Sequence, residues 1–322
     1  MLDQFGRSIE YLRISVTDRC NLRCRYCMPE DGIPMLRHED ILNYDEITRL
    51  AGIFAKLGIK KIKLTGGEPL VRKNLSALVK SLKETEGIEE VTLTTNGTLF
   101  KEQAVELWEA GIDKVNFSLD TLDPENYKSI TGKDMIYSVL DGIDMALSLD
   151  IRTNVNVVTL RDLNYEEIAD IAGMAYRKPI SIRFIEMMPI GLGTGFERYC
   201  EDEIMRVLTD EFGQPDEIMG RTGNGPAKYY HFKGFAGNVG IISSISDSFC
   251  SECNKVRLMS DGMLKLCLGH NDGTDLKSLL RSGASDEELL YHIKDSIYNK
   301  PKEHEFLNAE NTDKTPMSEI GG

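Results

Sequence analysis

Tyr11-Leu12-Arg13-Ile14-Ser15-Val16-Thr17-Asp18-Arg19-Cys20-Asn21-Leu22-Arg23-Cys24-Arg25-Tyr26-Cys27-Met28 sets a strand directly before a cysteine triad. Over Tyr11–Val16, apolar Leu12, Ile14 and Val16 alternate with Arg13, Ser15 and Thr17, the period of two that a strand with one buried face requires. The cysteines follow as C-x3-C-x2-C. Thiolates bunched this closely usually bind metal. Three ligands are one short of what a zinc ion or a four-iron cluster accepts, and a site one ligand short keeps a position open for chemistry. Zinc would want a nearby histidine, and the nearest is His38.

The alternation recurs downstream. Strands are expected at Lys60–Thr65, Glu90–Thr95, Lys114–Leu119, Ile151–Val158 and Ile180–Ile185. Helical periodicity separates them at Tyr44–Leu57, Asn74–Lys83, Lys101–Ala110, Met135–Leu149 and Tyr165–Tyr176. Strands alternating with helices imply a parallel sheet, either open and doubly wound or curled into a barrel. A parallel strand covered on both faces reads as a continuous apolar run. Here each strand carries one polar face: Lys61, Lys63 and Thr65; Thr92 and Thr94; Asn116, Ser118 and Asp120; Asn154 and Asn156; Ser181 and Arg183. The simplest account is an α/β fold, a partial six-stranded TIM-like barrel whose outside packs on helices and whose lumen is wet. Arg13, Lys61, Lys63 and Arg183 against the single acid Asp120 suit that lumen to a negatively charged ligand. The competing account is a sheet face left open to solvent. The cysteine triad then lies at the C-terminal mouth of the strands, where such barrels keep their active sites.

The 322 residues suffice for this barrel and a smaller second unit. The polar linker Gly220–Pro226 suggests a boundary, with residues 1–220 as the barrel and 221–322 as the second domain. A formal net charge of −14 argues against nucleic acid or an anionic membrane as the main partner. No apolar run would span a bilayer, no secretory signal is legible at the start, and clustered cysteines suit a reducing cytoplasm. Short strands are expected at Ala227–Phe232 and Gly237–Ser243, and helices near Glu201–Phe212, Asp275–Leu280 and Asp286–Tyr298. Gly191–Gly195 reads as a loop. The tail from Asn299 is charged and weakly apolar, and reads by itself as a frayed terminus.

A second triad, Cys250, Cys253 and Cys267, lies in the C-terminal part. Alone, Cys250-x2-Cys253-x13-Cys267-x2-His270 fits either a Cys3His zinc site or a second cluster with an open iron. The seventh cysteine, Cys200, stands apart at a helix start.

Cys20-Asn21-Leu22-Arg23-Cys24-Arg25-Tyr26-Cys27 resembles the signature of the radical S-adenosylmethionine enzymes, and Thr65-Gly66-Gly67-Glu68-Pro69 resembles their amine-binding motif. Asp3-x-x-Gly6-Arg7, Arg13–Cys20, Arg183-Phe184-Ile185-Glu186-Met187-Met188, the second triad and the closing Ile320-Gly321-Gly322 extend the likeness almost end to end. Together they resemble the GTP 3′,8-cyclases of molybdenum cofactor (molybdopterin) biosynthesis. The resemblance implies two 4Fe-4S clusters, one on Cys20, Cys24 and Cys27 and one on Cys250, Cys253 and Cys267. It implies S-adenosylmethionine bound by Tyr26, Gly66, Gly67, Glu68, Ser118, Asn156 and Met188. It implies GTP bound by Arg13, Lys63, Thr94, Asn154, Lys255 and Arg257, with Arg183, Lys255, Arg257, Gly321 and Gly322 serving the reaction. In such enzymes a 5′-deoxyadenosyl radical removes the ribose 3′ hydrogen, and C3′ then attacks C8 of guanine. A flavodoxin- or ferredoxin-type donor would supply electrons, and a separate cyclic pyranopterin monophosphate synthase would take the product.

The chain departs from the family where arginine is expected at Lys63 and Lys255 and lysine at Asn154. Lysine keeps the charge but loses the planar fork, while Asn154 loses the charge. Two other readings stay in view: a peptide-modifying radical enzyme with an auxiliary cluster, and a zinc-stabilised binding protein. The sequence does not fix the oligomeric state and leaves a homodimer open.

Overall fold

The computed structural model describes residues 1–219, 225–306 and 315–321. The expected domain boundary and Gly322 lie outside the described residues. The six expected strands all form, each within one residue of its expected ends. They are β1 (Tyr11–Ser15), β2 (Lys61–Thr65), β3 (Glu90–Thr95), β4 (Lys114–Ser118), β5 (Arg152–Thr159) and β6 (Ser181–Glu186). Later come β7 (Asp216–Ile218), β8 (Lys228–His231), β9 (Asn238–Ile242), β10 (Lys255–Leu258), β11 (Met263–Lys265) and β12 (Gly273–Asp275).

All twelve belong to one sheet, in the order β12-β11-β10-β1-β2-β3-β4-β5-β6-β9-β8-β7. The C-terminal strands therefore extend the central six at both edges. β9 pairs parallel with β6 and β10 parallel with β1, while the outer strands are antiparallel. This is one continuous sheet with eight parallel strands at its centre. Side chains from all eight line a single cavity, so the sheet is curled.

The alternation accounts for the packing. Leu12, Ile14, Ile62, Leu64, Val91, Leu93, Val115, Phe117, Val155, Val157, Ile182 and Phe184 are buried in the main core between the sheet and its helices. The helix Tyr44–Lys56 begins with a capping box, in which Asn43 accepts from the Glu46 N–H and Glu46 from the Asn43 N–H. Ser285 and Glu288 do the same for Asp286–Tyr298. The helix Pro124–Thr131 was not among those expected. Its start signals are present, since Asp123 accepts from the Asn126 N–H at 2.7 Å and Pro124 occupies the first turn. Gly191–Gly195 forms a short 3-10 turn rather than an irregular loop.

The described end of the chain is not frayed. Met317–Ile320 form a helical turn, and Ile320 packs against Ile190 and Phe306 in a small second core. Both Ile190 and Phe306 come from loops above the sheet, where no local pattern announces a partner for three apolar residues.

Candidate active site

The polar strand faces and both triads converge on one cavity of about 370 Å³, within the range of small-molecule sites. The first triad stands on the loop after β1. Cys24 and Cys27 bond to one another's turn through the Cys27 N–H to the Cys24 carbonyl at 2.9 Å. Burial pushes the Cys24 thiol well up, with Cys27, Asp120 and Cys20 adding to the effect. Cys27 is pushed up to about 12 by burial and then by Cys20 and Asp120. Bare thiolates would repel here, and cationic iron would offset that repulsion.

The glycines of Thr65-Gly66-Gly67-Glu68 have a geometric reason. A Cβ at Gly67 would lie 2.4 Å from the Arg19 carbonyl oxygen, and one at Gly66 2.7 Å from that of Thr17. The turn docks instead, with the Gly67 N–H donating to Thr17 and the Glu68 N–H to Arg19, each at 2.7 Å. The glycines therefore serve first to seat this turn against the triad loop. Glu68 accepts from the Leu70 N–H, the Thr95 hydroxyl and the Asn96 N–H. Burial nonetheless pushes its carboxyl up to about 7. Tyr26 donates to Asp120 Oδ2 at 2.6 Å, and Asp120 Oδ1 accepts from the Val158 N–H. Burial pushes Asp120 up to about 6.

Deeper in the lumen the charge reverses. Arg13 on β1 lies opposite Lys63 on β2 and Arg257 on β10. Like charges directly opposite one another destabilise a sheet, so an anion in the lumen would relieve this row. Lys63 is held well below the ordinary lysine value by burial, then by Arg183, Arg13, Lys255 and Lys114. Arg257 is brought to about 9 by burial and Arg13, which leaves it charged at neutral pH. Thr94 Oγ1, Asn156 Oδ1 and Arg183 Nε are buried without a hydrogen-bond partner among the described residues. Buried polar atoms are nearly always satisfied, so these three are arranged for a ligand.

Cys250 and Cys253 of the second triad ride on the connection from β9 to β10, where Cys250–Glu252 form a 3-10 turn, and Cys267 follows β11. Two buried residues hold this connection. Glu186 accepts from the Ile245 and Ser246 N–H groups. Arg7, paired with Asp3 at 2.6 Å, donates to the carbonyls of Cys250, Pro301 and Lys302. Burial raises the Cys253 thiol, but Lys300 and then Lys255 outweigh it and leave it below the ordinary value. Among the described residues no three His, Cys, Asp or Glu side chains gather as donors to a single metal ion. His270, the fourth donor of a zinc site, meets the Glu303 carbonyl through Nε2 at 2.9 Å and does not line the cavity. Both triads consist of free thiols facing one cavity, a donor set that fits multi-iron clusters.

The tail closes the site. Gly321 has φ +78°, and a Cβ there would lie 2.9 Å from both Ser15 Cβ and Thr65 Oγ1. Its carbonyl accepts from Arg257 Nη1 at 2.8 Å.

All six triad cysteines line the cavity, as do Tyr26, Gly66, Gly67, Glu68, Ser118, Asn156 and Met188, and Arg13, Lys63, Thr94, Arg183, Lys255 and Arg257. Asn154 does not. It stands behind Asn116, donating to Asn116 Oδ1 at 2.9 Å, and Arg183 donates to the same oxygen. Lys114, Lys300 and His304 line the cavity without having been singled out. Lys114 continues the alternation of Asn116 and Ser118 and was legible there. Lys300 and His304 sit in a stretch without periodicity.

Two family models cover most of the chain: Radical SAM superfamily over residues 14–175 and Molybdenum Cofactor Synthesis C over 180–306. A GTP 3′,8-cyclase of Clostridium perfringens (strain SM101 / Type A) is 44% identical over 323 residues, covering 100% of both chains. GTP 3′,8-cyclases of Heliobacterium modesticaldum and Desulforamulus reducens are 45% and 43% identical, again over 100% of both chains. Among solved structures, Streptococcus suis SuiB bound to S-adenosylmethionine matches 91% of this chain and 68% of its own, with a TM-score of 0.62 at 17% identity. That likeness concerns the fold.

Proposed function

The chain belongs to the GTP 3′,8-cyclase family of the radical S-adenosylmethionine superfamily, and from that membership we propose that it converts GTP to 3′,8-cyclo-7,8-dihydro-GTP in molybdenum cofactor synthesis. The observation that carries this reading is the row of cations between two thiol triads in one cavity. Cys20, Cys24 and Cys27 would hold one cluster and Cys250, Cys253 and Cys267 the other. When bound, the first supplies the electron that cleaves S-adenosylmethionine to a 5′-deoxyadenosyl radical.

The chain's own residues bind, orient and exclude water. Tyr26, Gly66, Gly67, Glu68, Ser118, Asn156 and Met188 would hold S-adenosylmethionine beside the first triad. Arg13, Lys63, Lys255 and Arg257, with Arg183 and Thr94, would hold the triphosphate, where charge-assisted bonds are strongest. Asn154 acts at one remove, fixing Asn116 against Arg183. The docked tail would keep water from the radical. No helix among the described residues is long and apolar enough to cross a membrane; we place the enzyme in the cytoplasm. A flavodoxin- or ferredoxin-type donor and a separate cyclic pyranopterin monophosphate synthase would act before and after it.

The anaerobically reconstituted protein, given GTP, S-adenosylmethionine and a reductant, is expected to release 5′-deoxyadenosine and a cyclised nucleotide. No 5′-deoxyadenosine above the background without GTP would sink the assignment.

GTP binding should also take up protons. Lys63 is depressed by burial and its cationic neighbours, and a bound triphosphate would raise it back toward 10.5. Affinity should therefore weaken as pH rises through the depressed value. The free protein has the opposite dependence. Below that value Lys63 is charged in both folded and unfolded states and its cost is full, and the cost is relieved as pH climbs from there toward 10.5. Calorimetry in two buffers of different ionisation enthalpy, repeated across pH up to 10.5, reads the uptake; none at any pH in that series would contradict the pocket's electrostatics.

A further inference from the structure

Lys300 is 2% exposed and ranks among the largest fully buried side chains. Lysine is almost never fully buried unless paired, yet no carboxylate lies within ion-pair reach of it among the described residues. Its Nζ donates to the carbonyl of Leu266, the residue before Cys267. It lines the same cavity as Cys253 and Cys267, and its charge acts on both thiols. Its position is enforced, because Arg7 donates to the backbone carbonyls of Lys300, Pro301 and Lys302 and also to that of Cys250. One guanidinium thus fastens the lysine to the loop carrying two of the three second-triad cysteines. The first triad has the opposite surroundings, with buried Glu68 and Asp120 beside it and, among the described residues, no buried lysine of this kind.

We propose that Lys300 is the built-in counter-cation of the second triad, a positioning residue that holds a thiolate-ligated iron–sulfur cluster there and makes it easier to reduce than it would otherwise be. A buried ammonium without a carboxylate needs an anion to offset its desolvation. Three thiolates carrying a cluster supply that anion, and a cation beside a cluster favours its more reduced, more negative state. The proposal rests on the reading that the second triad binds a cluster.

The test uses the full chain reconstituted anaerobically with iron and sulfide, as wild type, Lys300→Gln and Lys300→Arg. Glutamine can keep the bond to the Leu266 carbonyl without the charge; arginine keeps the charge. Iron and sulfide are assayed, and redox titrations are followed by electron paramagnetic resonance, with the second-triad signal identified by its loss in Cys253→Ala. In Lys300→Gln that signal is expected to titrate at a more negative potential, or to vanish with about half the iron of a two-cluster protein, while the first-triad signal stays put. Lys300→Arg should keep the iron and the wild-type potential. Unchanged iron and potential in Lys300→Gln would overturn the proposal, as would equal losses in both variants. Wild-type protein holding zinc or a single cluster would overturn the cluster reading beneath it instead.

Discussion

Gly321→Ala is expected to lower cyclisation by about 100-fold while both triads keep their iron. At φ +78° the left-handed backbone costs a non-glycine residue about 1–2 kcal/mol. The added Cβ would also press on Ser15 Cβ and Thr65 Oγ1 at 2.9 Å. Those atoms belong to the ends of β1 and β2, so they cannot give way without moving the strands that carry Arg13 and Lys63. The tail must lift instead, which breaks the bond from Arg257 to the Gly321 carbonyl. Misplacing a positioning group by about 1 Å can cost about 100-fold in rate. Removing Gly321 and Gly322 together should have the same effect. Product formation, measured beside iron content and 5′-deoxyadenosine release, separates a lost tail contact from a lost cluster. Wild-type turnover in either variant would show that the docked tail has no part in the reaction.

That tail also marks where the sequence stops being legible. The barrel could be read because its signal is local and repeated: Leu12, Ile14 and Val16 against Arg13, Ser15 and Thr17, and the same alternation on five more strands. The lumen followed from the same period, since Lys63, Thr94, Ser118, Asn156 and Arg183 share faces with their strand neighbours. The remainder depends on contacts between distant segments. β10 completes the parallel run beside β1, 240 residues away in sequence, so the row Arg257–Arg13–Lys63 cannot be seen in any window. Arg7 reaches the carbonyls of residues 300–302 in the same non-local way. Three apolar residues, Ile190, Phe306 and Ile320, gather the tail into a core too small to leave a periodic trace. The helix Pro124–Thr131 is a different case, because Asp123-Pro124 is a local start signal readable in the sequence.

Asn154 shows how a departure in sequence acquires a physical meaning. As a missing lysine it suggests a weaker phosphate site. In the structure its amide and the Arg183 guanidinium converge on Asn116 Oδ1, so it fixes the orientation of a neighbouring amide that lines the cavity. Lys114, one step below Asn116 on β4, restores a cation to that part of the wall. Its ion pair with Glu90 is long, 3.8 Å, and Arg152 meets the same carboxylate oxygen at 3.0 Å. The wall therefore keeps its positive character with the charge on an adjacent strand.

Arg257→Met should be the most damaging single change in the cation row, lowering kcat/KM by about 1000-fold, or about 4 kcal/mol. Arg257 has two tasks that one fork performs together: it faces the cavity beside Arg13, and its Nη1 holds the tail at Gly321. Losing one partner of a buried charge pair costs about 2–5 kcal/mol. A buried carbonyl left without its donor costs about 1–3 kcal/mol more. The free protein should behave differently. Burial and Arg13 both work against the Arg257 charge, so methionine relieves a like-charge contact and fills much of the volume. The lost bond to the Gly321 carbonyl opposes that relief, so the melting temperature without ligand should fall only modestly. Arg257→Lys retains the charge but can serve only one direction at a time. It should recover roughly tenfold of the lost rate, since a single contact is typically worth 1–2 kcal/mol. Steady-state kinetics together with thermal melts of the free protein distinguish these outcomes. A variant that melts early and loses activity in proportion would reduce Arg257 to a structural residue.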